Sequence, residues 1–470
     1  MKKQQSSHND WTTLWDALRT SGDYSDQVIA GAEGTVFLRD LVAGSMLYNR
    51  GDELAGRCVL VATTSQLTTA SALIELDGLA RRIVVCPPDL PMEHLPYVIE
   101  TAEVEAIVSD RSIYHFGSQR NLIFSPCSRA LVPRTGERAA ADKSEWILLT
   151  SGTTGRPKLV AHTLESLAGA IRPLKSHPGT VVWSTFYDIR RYGGLQILLR
   201  AVLTRTSLVL SNAQEPISAF FERAANLGVT HISGTPSHWR RALMSSSLHL
   251  ISPEYVRLSG EIADQSILNS LRSAYPLARI IHAFASTEAG VAFEVTDGLA
   301  GFPVETLHNT PNVEMKRQDG SLKIRSARNA RCYLGGEVHA LKGADGFVDT
   351  GDMLEVRGNR YHFVGRRDGV INIGGLKVHP EEVESVINRH PAVRMSLVRT
   401  KKSSITGALV IADVVLQGEQ AGSEIGSRAL QDDILLLCRK ALSSHKVPAA
   451  INFIPELSVA ESGKLLRRNA

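Results

Sequence analysis

Leu148–Lys158 reads LLTSGTTGRPK. An apolar strand ends in a loop of glycines and hydroxyl-bearing residues, and a lysine follows. Glycine lets backbone approach a ligand closely, and the hydroxyls of Thr150, Ser151, Thr153 and Thr154 can donate to phosphate oxygens. Lys158 adds a point charge. The run is not the Walker pattern, because Arg156-Pro157 precede the lysine and no Ser or Thr follows it. A small-residue surface loop is the lesser reading of this run alone, and its neighbours weigh against it.

Outward from this loop, short β-branched runs alternate with helical patterns. Cys58–Ala62 reads as a buried strand, Thr68–Leu79 as a helix, and Ile83–Cys86 as a strand closed by Pro87-Pro88. Glu105–Val108, Ile147–Leu149, Val181–Trp183, Ser207–Leu210 and Ile280–His282 continue the strand series. Such alternation predicts an α/β fold with largely parallel sheets and helices on both faces. After about residue 300 the pattern changes to short strands between Gly, Asp and Asn turns, at Val313–Met315, Leu322–Arg325, Phe347–Asp349 and Arg360–Val364. These predict a small antiparallel or barrel-like subdomain over about 300–366. Pro380–His390 then opens a helix with acidic residues in its first turn. Strand-like Ala408–Val415, a helix around Ile434–Leu442 and strand-like Ile451–Ile454 complete an α+β unit. The charged, glycine-bounded GRRDG at 365–369 places the boundary between residues 1–366 and 367–470.

At 470 residues the chain is about three times a ~150-residue domain. Hydrophobic residues at 43% and charged residues at 21% exclude a largely disordered chain. A net charge of +4 over this length supports neither nucleic-acid nor membrane binding. Five dispersed cysteines (Cys58, Cys86, Cys127, Cys332, Cys438) form no C-x-x-C pair, which predicts reduced thiols, no zinc site and a cytoplasmic protein. No apolar segment follows Lys2-Lys3 as in a targeting signal, and no run is long enough to span a bilayer.

Five segments in order give the chain a family resemblance. Besides LLTSGTTGRPK there are Phe284–Glu288 (FASTE), Val348–Asp352 (VDTGD), Gly365–Val378 (GRRDGVINIGGLKV) and Ser462–Leu465 (SGKL). Together they resemble the signatures of the adenylate-forming superfamily: acyl-CoA synthetases, aryl acid ligases, luciferases and the adenylation domains of nonribosomal peptide synthetases. Ala285 departs from the family pattern, which has glycine there. The resemblance runs from about residue 30 to the end. It implies a large N-terminal domain with two helix-flanked, mostly parallel sheets plus a β-barrel-like subdomain, and a small mobile C-terminal lid.

The resemblance also implies roles. ATP would be held at its pyrophosphate end by Thr150, Ser151, Gly152, Thr153, Thr154, Gly155 and Lys158. Thr287 would contact the α-phosphate and Glu288 would ligate Mg²⁺. Phe284 would stack on adenine opposite the Ser259–Gly260–Glu261 turn. Asp352 would accept the ribose hydroxyls, with Arg366 in support, and Lys464 would bridge the reacting carboxylate and the α-phosphate. Asp368 falls at the family's hinge, and Gly374, Gly375 and Lys377 fall in the loop presented to the second half-reaction. Taken singly, Glu288 and Asp352 read as solvated turn carboxylates, Phe284 as core and Lys464 as a terminal lysine; their joint order is what argues otherwise. A catalytically silent relative would be expected to have lost Lys464, Glu288 or Asp352, and all three are present.

The acid pocket is expected from Tyr187, Arg191, Tyr192, Gly193, Gly234, His282 and Ala289. Many acyl-CoA synthetases carry a histidine two residues before a glycine pair, where this chain has Arg191. Amino-acid-activating domains use an aspartate for the α-ammonium; Tyr192 counts to that position and Asp188 lies one turn away. The expectation is therefore an AMP-forming acid–thiol ligase acting on a small organic acid without an α-amino group. An amino acid substrate, or an amide-forming ligase with an amine acceptor, is the alternative. The chain's end at Ala470 predicts a freestanding enzyme that passes its acyl group to CoA or to the phosphopantetheine of a separate carrier protein, as a monomer or weak homodimer.

Overall fold

The computed structural model describes residues 12–19, 26–112, 122–136, 138, 143–150, 155–172, 181–335, 340–373, 376–403, 407–417, 424–458 and 464–465. The chain forms two compact units, Met1–Glu215 with Arg223–His231 and Ala327–Leu341, and Pro216–Glu222 with Ile232–Ser326 and Lys342–Ala470.

In the first unit a seven-stranded sheet runs in the order Cys332–Tyr333, Lys158–Thr163, Glu145–Thr150, Arg82–Val85, Cys58–Val61, Ala106–Ser109, Ile123–Pro126. The five strands from Glu145–Thr150 to Ile123–Pro126 pair parallel. Cys58–Val61 and Ala106–Ser109 are buried at every position, as the continuous apolar runs require of strands covered on both faces. Leu60, Val84, Val98, Ile147 and Leu159 meet in the core on this sheet. A second set of strands, Val182–Thr185, Ser207–Leu210 and Val28–Gly31, is also parallel, with Gly34–Phe37 added antiparallel. Helix Gln66–Leu76 is started by Ser65, whose side chain accepts from the Thr68 N–H.

The second unit contains the parallel pair Tyr255–Ser259 and Arg279–Ser286, the latter turning back as Gly290–Val295. Its β-rich part is a five-stranded sheet ordered Phe302–Pro303, Arg360–Arg366, Val348–Arg357, Ser321–Ser326, Val313–Gln318, with every pairing antiparallel. Beyond a single turn at Arg367–Gly369 come the hairpin Ile371–Ile373/Leu376–Val378 and helix Pro380–Ile387. The sheet of Val393–Ser403, Gly407–Leu416 and Ala450–Phe453 and helix Glu424–Ala441 follow. Val378, Val383, Ile387, Val410, Val414 and Ile434 close a core drawn from residues 371–451 alone.

The elements read from the sequence recur with moved ends. Phe347–Asp349 is a ten-residue strand, Val348–Arg357, that carries the TGD residues within it. The helix expected at Ile434–Leu442 begins ten residues earlier, at Glu424. The long strand Val393–Ser403 is absent from the sequence reading, because VRMSLVRTKKS mixes basic residues into its alternation. All five cysteines are free thiols, as expected. Among the described residues no helix is long and apolar enough to cross a membrane.

Candidate active site

In the first unit, Glu145–Thr150 and Lys158–Thr163 are antiparallel neighbours with Thr150 opposite Lys158. Thr150 and Lys158, which flank the small-residue run, are thus held side by side. The Thr150 hydroxyl is buried and has no hydrogen-bond partner among the described residues, which fits an incoming phosphate oxygen. Ser151, Gly152, Thr153 and Thr154 lie outside the described residues. Beyond them, Gly155 has a left-handed backbone (φ +85°). Lys158 Nζ sits 5.3 Å from the Tyr333 ring centre, and the Arg156 guanidinium 5.2 Å from that of Tyr97.

The Tyr187–Gly194 segment is tightly built. Arg190 is 5% exposed. Its guanidinium donates to both Asp188 carboxylate oxygens at 2.8 and 2.5 Å, and to the carbonyls of Thr63 at 2.6 Å and Thr64 at 3.1 Å. Asp188 is thereby committed and does not stand ready for an ammonium group. Arg191 pairs with Asp89. Tyr192 is buried against His162, ring centres 5.9 Å apart. Gly193 lies under the Tyr187 ring. At Gly194 an added Cβ would stand 2.2 Å from the Asp188 carbonyl oxygen, so only glycine lets helix Tyr192–Thr204 start here.

In the second unit, Gly234 ends its strand and Thr235 caps helix Pro236–Ala242. The Thr235 hydroxyl accepts from the His238 N–H at 3.0 Å, and His238 Nδ1 accepts from the Thr235 N–H at 3.2 Å. That bond assigns the His238 proton to Nε2. Burial, with Arg241 nearby, pushes the His238 pKa down to about 3, so the ring is neutral. Strand Tyr255–Ser259 is followed by Gly260 (φ +86°), a left-handed backbone that favours glycine; the Lys464 stem runs beside it, 3.6 Å from where a Cβ would stand. Glu261 accepts from the Ser237 N–H at 2.9 Å and from the Leu465 N–H at 3.2 Å.

Phe284 lies parallel to Phe363 and Phe293, with ring centres 5.1 and 5.9 Å away. The strand bulges between Phe284 and Ala285. Ser286 Oγ accepts from the Ala289 N–H at 3.0 Å, closing the turn that carries Thr287 and Glu288. Ala289 is fully buried. Within Val348–Arg357, Thr350 Oγ accepts from the Asp352 N–H at 3.1 Å while donating to the Leu322 carbonyl at 2.8 Å. Asp352 faces Arg366 in register across the hairpin. Burial raises the Asp352 pKa to about 6, against the pull of Arg366, Lys464 and the Thr350 hydrogen bond and with a push from Glu288.

Lys464 is exposed as a residue. Desolvation holds its pKa below the ordinary lysine value. The charges it faces are Glu261, Arg366, Asp352 and Glu288, with Glu261 the strongest attraction. The second unit therefore brings together five expected residues that span about two hundred positions of sequence.

His282 is not brought into that group. It shares a strand face with Phe284, its ring is bonded to the Leu299 carbonyl at 3.0 Å, and Asp297 and Arg360 adjoin it. Asp368 carries a bond from Arg366 Nε at 3.2 Å, Lys377 is exposed, and Gly374 and Gly375 lie outside the described residues. Sequence reading missed the side-chain stack of Phe363 and the Thr235–His238 capping box. The T-x-x-H spacing before an apolar turn was a usable signal for the box; the stack left none.

Two family descriptions match the chain: AMP-binding enzyme at residues 78–334 and AMP-binding enzyme C-terminal domain at 382–464. Among relatives, the mitochondrial acyl-coenzyme A synthetase ACSM5 of Mus musculus is 24% identical over 433 residues, covering 86% of this chain and 71% of that protein. Among solved structures, the anthranilate CoA ligase AuaEII in complex with anthranoyl-AMP aligns with a TM-score of 0.82 at 18% identity, covering 98% of this chain and 96% of its own. The amide bond synthetase McbA from Marinactinospora thermotolerans aligns with a TM-score of 0.77 at 19% identity, covering 96% and 98%.

Proposed function

Because this chain belongs to the family of AMP-binding enzymes, we propose that it condenses a small organic carboxylic acid with ATP and then transfers the acyl group to a thiol. In the first step a carboxylate oxygen of the acid attacks the α-phosphorus. The bond to the β-phosphate oxygen breaks, leaving acyl-AMP and pyrophosphate. In the second, the thiol sulfur of CoA or of a carrier protein's phosphopantetheine attacks the acyl carbon, and AMP departs. The observation that carries this reading is the convergence of Lys464, Glu261, Glu288, Asp352 and Arg366 in one unit.

Asp352 accepts the ribose hydroxyls, an office suited to an ionised carboxylate with few protein donors of its own. Arg366 lies over Gly351 of the TGD turn and favours the charged carboxylate against the upward push of burial. Phe284 and Phe363 offer aromatic faces to the adenine, beside the Ser259–Glu261 turn. Thr150 to Gly155 and Lys158 hold the pyrophosphate end, and Thr287 meets the α-phosphate. Lys464 places positive charge where the attacking carboxylate and the α-phosphate would otherwise repel. Magnesium is bound through one or two carboxylates plus phosphate oxygens, so Glu288 suits an ion arriving with the nucleotide. Among the described residues no cluster of three or more His, Cys, Asp or Glu suited to a metal occurs. When bound, the ion would neutralise phosphate charge.

The commitment of Asp188 to Arg190 supports an acid without an α-amino group. We read residues 1–366 as the adenylating core and 367–470 as a lid turning at Asp368, with Gly374, Gly375 and Lys377 serving the second step. The reading extends to a cytoplasmic enzyme, monomeric or weakly dimeric, with a carrier protein as one source of the thiol.

The test is ATP–pyrophosphate exchange with Mg²⁺ against pooled aryl, short aliphatic, cyclic and amino acids. Exchange with one of the first three pools, falling at least about a hundredfold in Lys464→Ala, is expected. Exchange with amino acids alone would overturn the pocket reading, and none with any pool would overturn the activity.

A further inference from the structure

Glu261 follows the end of strand Tyr255–Ser259. Its two carboxylate oxygens are engaged at two separate places, the Ser237 N–H at 2.9 Å and the Leu465 N–H at 3.2 Å. The first belongs to the start of helix Pro236–Ala242, rigidified by the Thr235–His238 capping box. The second lies 204 positions later, beside Lys464. Between them lies Gly260, where an added Cβ would stand 3.6 Å from Lys464 Cε, so the lysine stem runs beside this turn. Of the charges facing the Lys464 ammonium, Glu261 attracts it most strongly, Asp352 and Glu288 attract it less, and Arg366 repels it.

We propose that Glu261 is a positioning residue, a two-ended clasp that ties the Lys464–Leu465 backbone to the Ser237 N–H and so sets the lysine's reach for acyl-AMP formation. The proposal rests on the functional reading above for its catalytic consequence, but not for the contact itself. A carboxylate suits the task because it offers acceptors on both oxygens and carries charge. Glutamine keeps one carbonyl acceptor and can hold one end only; alanine holds neither. A residue that merely shaped the adenine turn would influence nucleotide affinity and leave the lysine unaffected.

The experiment has two arms. In the first, nucleotide-free protein is treated with an amine-acetylating succinimidyl ester, and labelling of Lys464 is followed by mass spectrometry against Lys342 as an internal reference. Removing the neighbouring carboxylate frees the segment and lowers the lysine's pKa, so Glu261→Ala is expected to label Lys464 about threefold faster. Glu261→Gln is expected to fall between it and the wild type, and unchanged melting temperatures exclude unfolding as the cause. Equal Lys464 labelling in all three proteins would overturn the clasp. In the second arm, exchange kcat should fall about tenfold in Glu261→Ala with the ATP KM within about twofold. A raised KM at unchanged kcat would overturn it in favour of a nucleotide role. If the wild type exchanges with no acid, the functional reading fails while the labelling arm still decides the clasp.

Discussion

At the scale of single residues, the titration of Asp352 gives a prediction with opposite signs for protein and ligand. Burial lifts its pKa to about 6, above the ordinary carboxylate value of 3.8. Its protonated form therefore favours the folded protein, and that contribution is lost as pH rises through about 6. Ribose hydroxyls need the ionised acceptor, so nucleotide affinity moves the other way. The ATP KM should be flat near pH 8 and rise as pH drops from 7 to 5, approaching about tenfold per unit once below 6. Asp352→Asn should raise the KM about tenfold or more at pH 8 and abolish that pH dependence; a wild-type KM independent of pH would contradict the role. Asp352 was legible in the sequence because T-G-D is a local motif. Its altered pKa was not, since Arg366, Lys464 and Glu288 reach it from elsewhere in the chain.

At the scale of elements, helix Tyr192–Thr204 is pressed onto the Asp188–Ile189 turn through its two glycines. At Gly194 the obstacle is backbone, the Asp188 carbonyl at 2.2 Å, and cannot rotate away. At Gly193 it is the Tyr187 ring at 3.3 Å, which can shift. Gly194→Ala is expected to cost about 2–4 kcal/mol, read as an earlier first transition in urea, while Gly193→Ala costs less. Equal midpoints for the two variants would show that the close approach is unimportant. Glycine pairs are visible in sequence, but the atom they make room for is set by how the preceding turn folds. The same turn explains why Arg190 is structural: its guanidinium is consumed by Asp188 and two carbonyls from residues 63 and 64, more than 120 positions away.

At the scale of the whole molecule, the proposed cycle needs Lys464 for the first half-reaction and the segment around Lys377 for the second. Residues 371–451 close their own apolar core, as expected of a part that moves as a body, and the turn at Arg367–Gly369 precedes it. Proline at 368 would restrict rotation there. Asp368→Pro should keep pyrophosphate exchange within about threefold of wild type while thioester formation from supplied acid and thiol falls about a hundredfold or more. Equal losses in both assays would show an ordinary linker.

The sequence by itself determined the family, the strand–helix alternation and which residues are candidates for the chemistry, because each rests on motifs of a few consecutive positions or on hydrophobic periodicity. Only the tertiary structure decided which candidates share a place. It put Glu261, Arg366, Asp352 and Glu288 around Lys464, turned His282 toward Leu299, and spent Asp188 on Arg190. The reason is physical: local patterns fix backbone conformation, whereas side-chain partners and pKa values depend on groups brought close from distant positions, as Glu261 and Leu465 are.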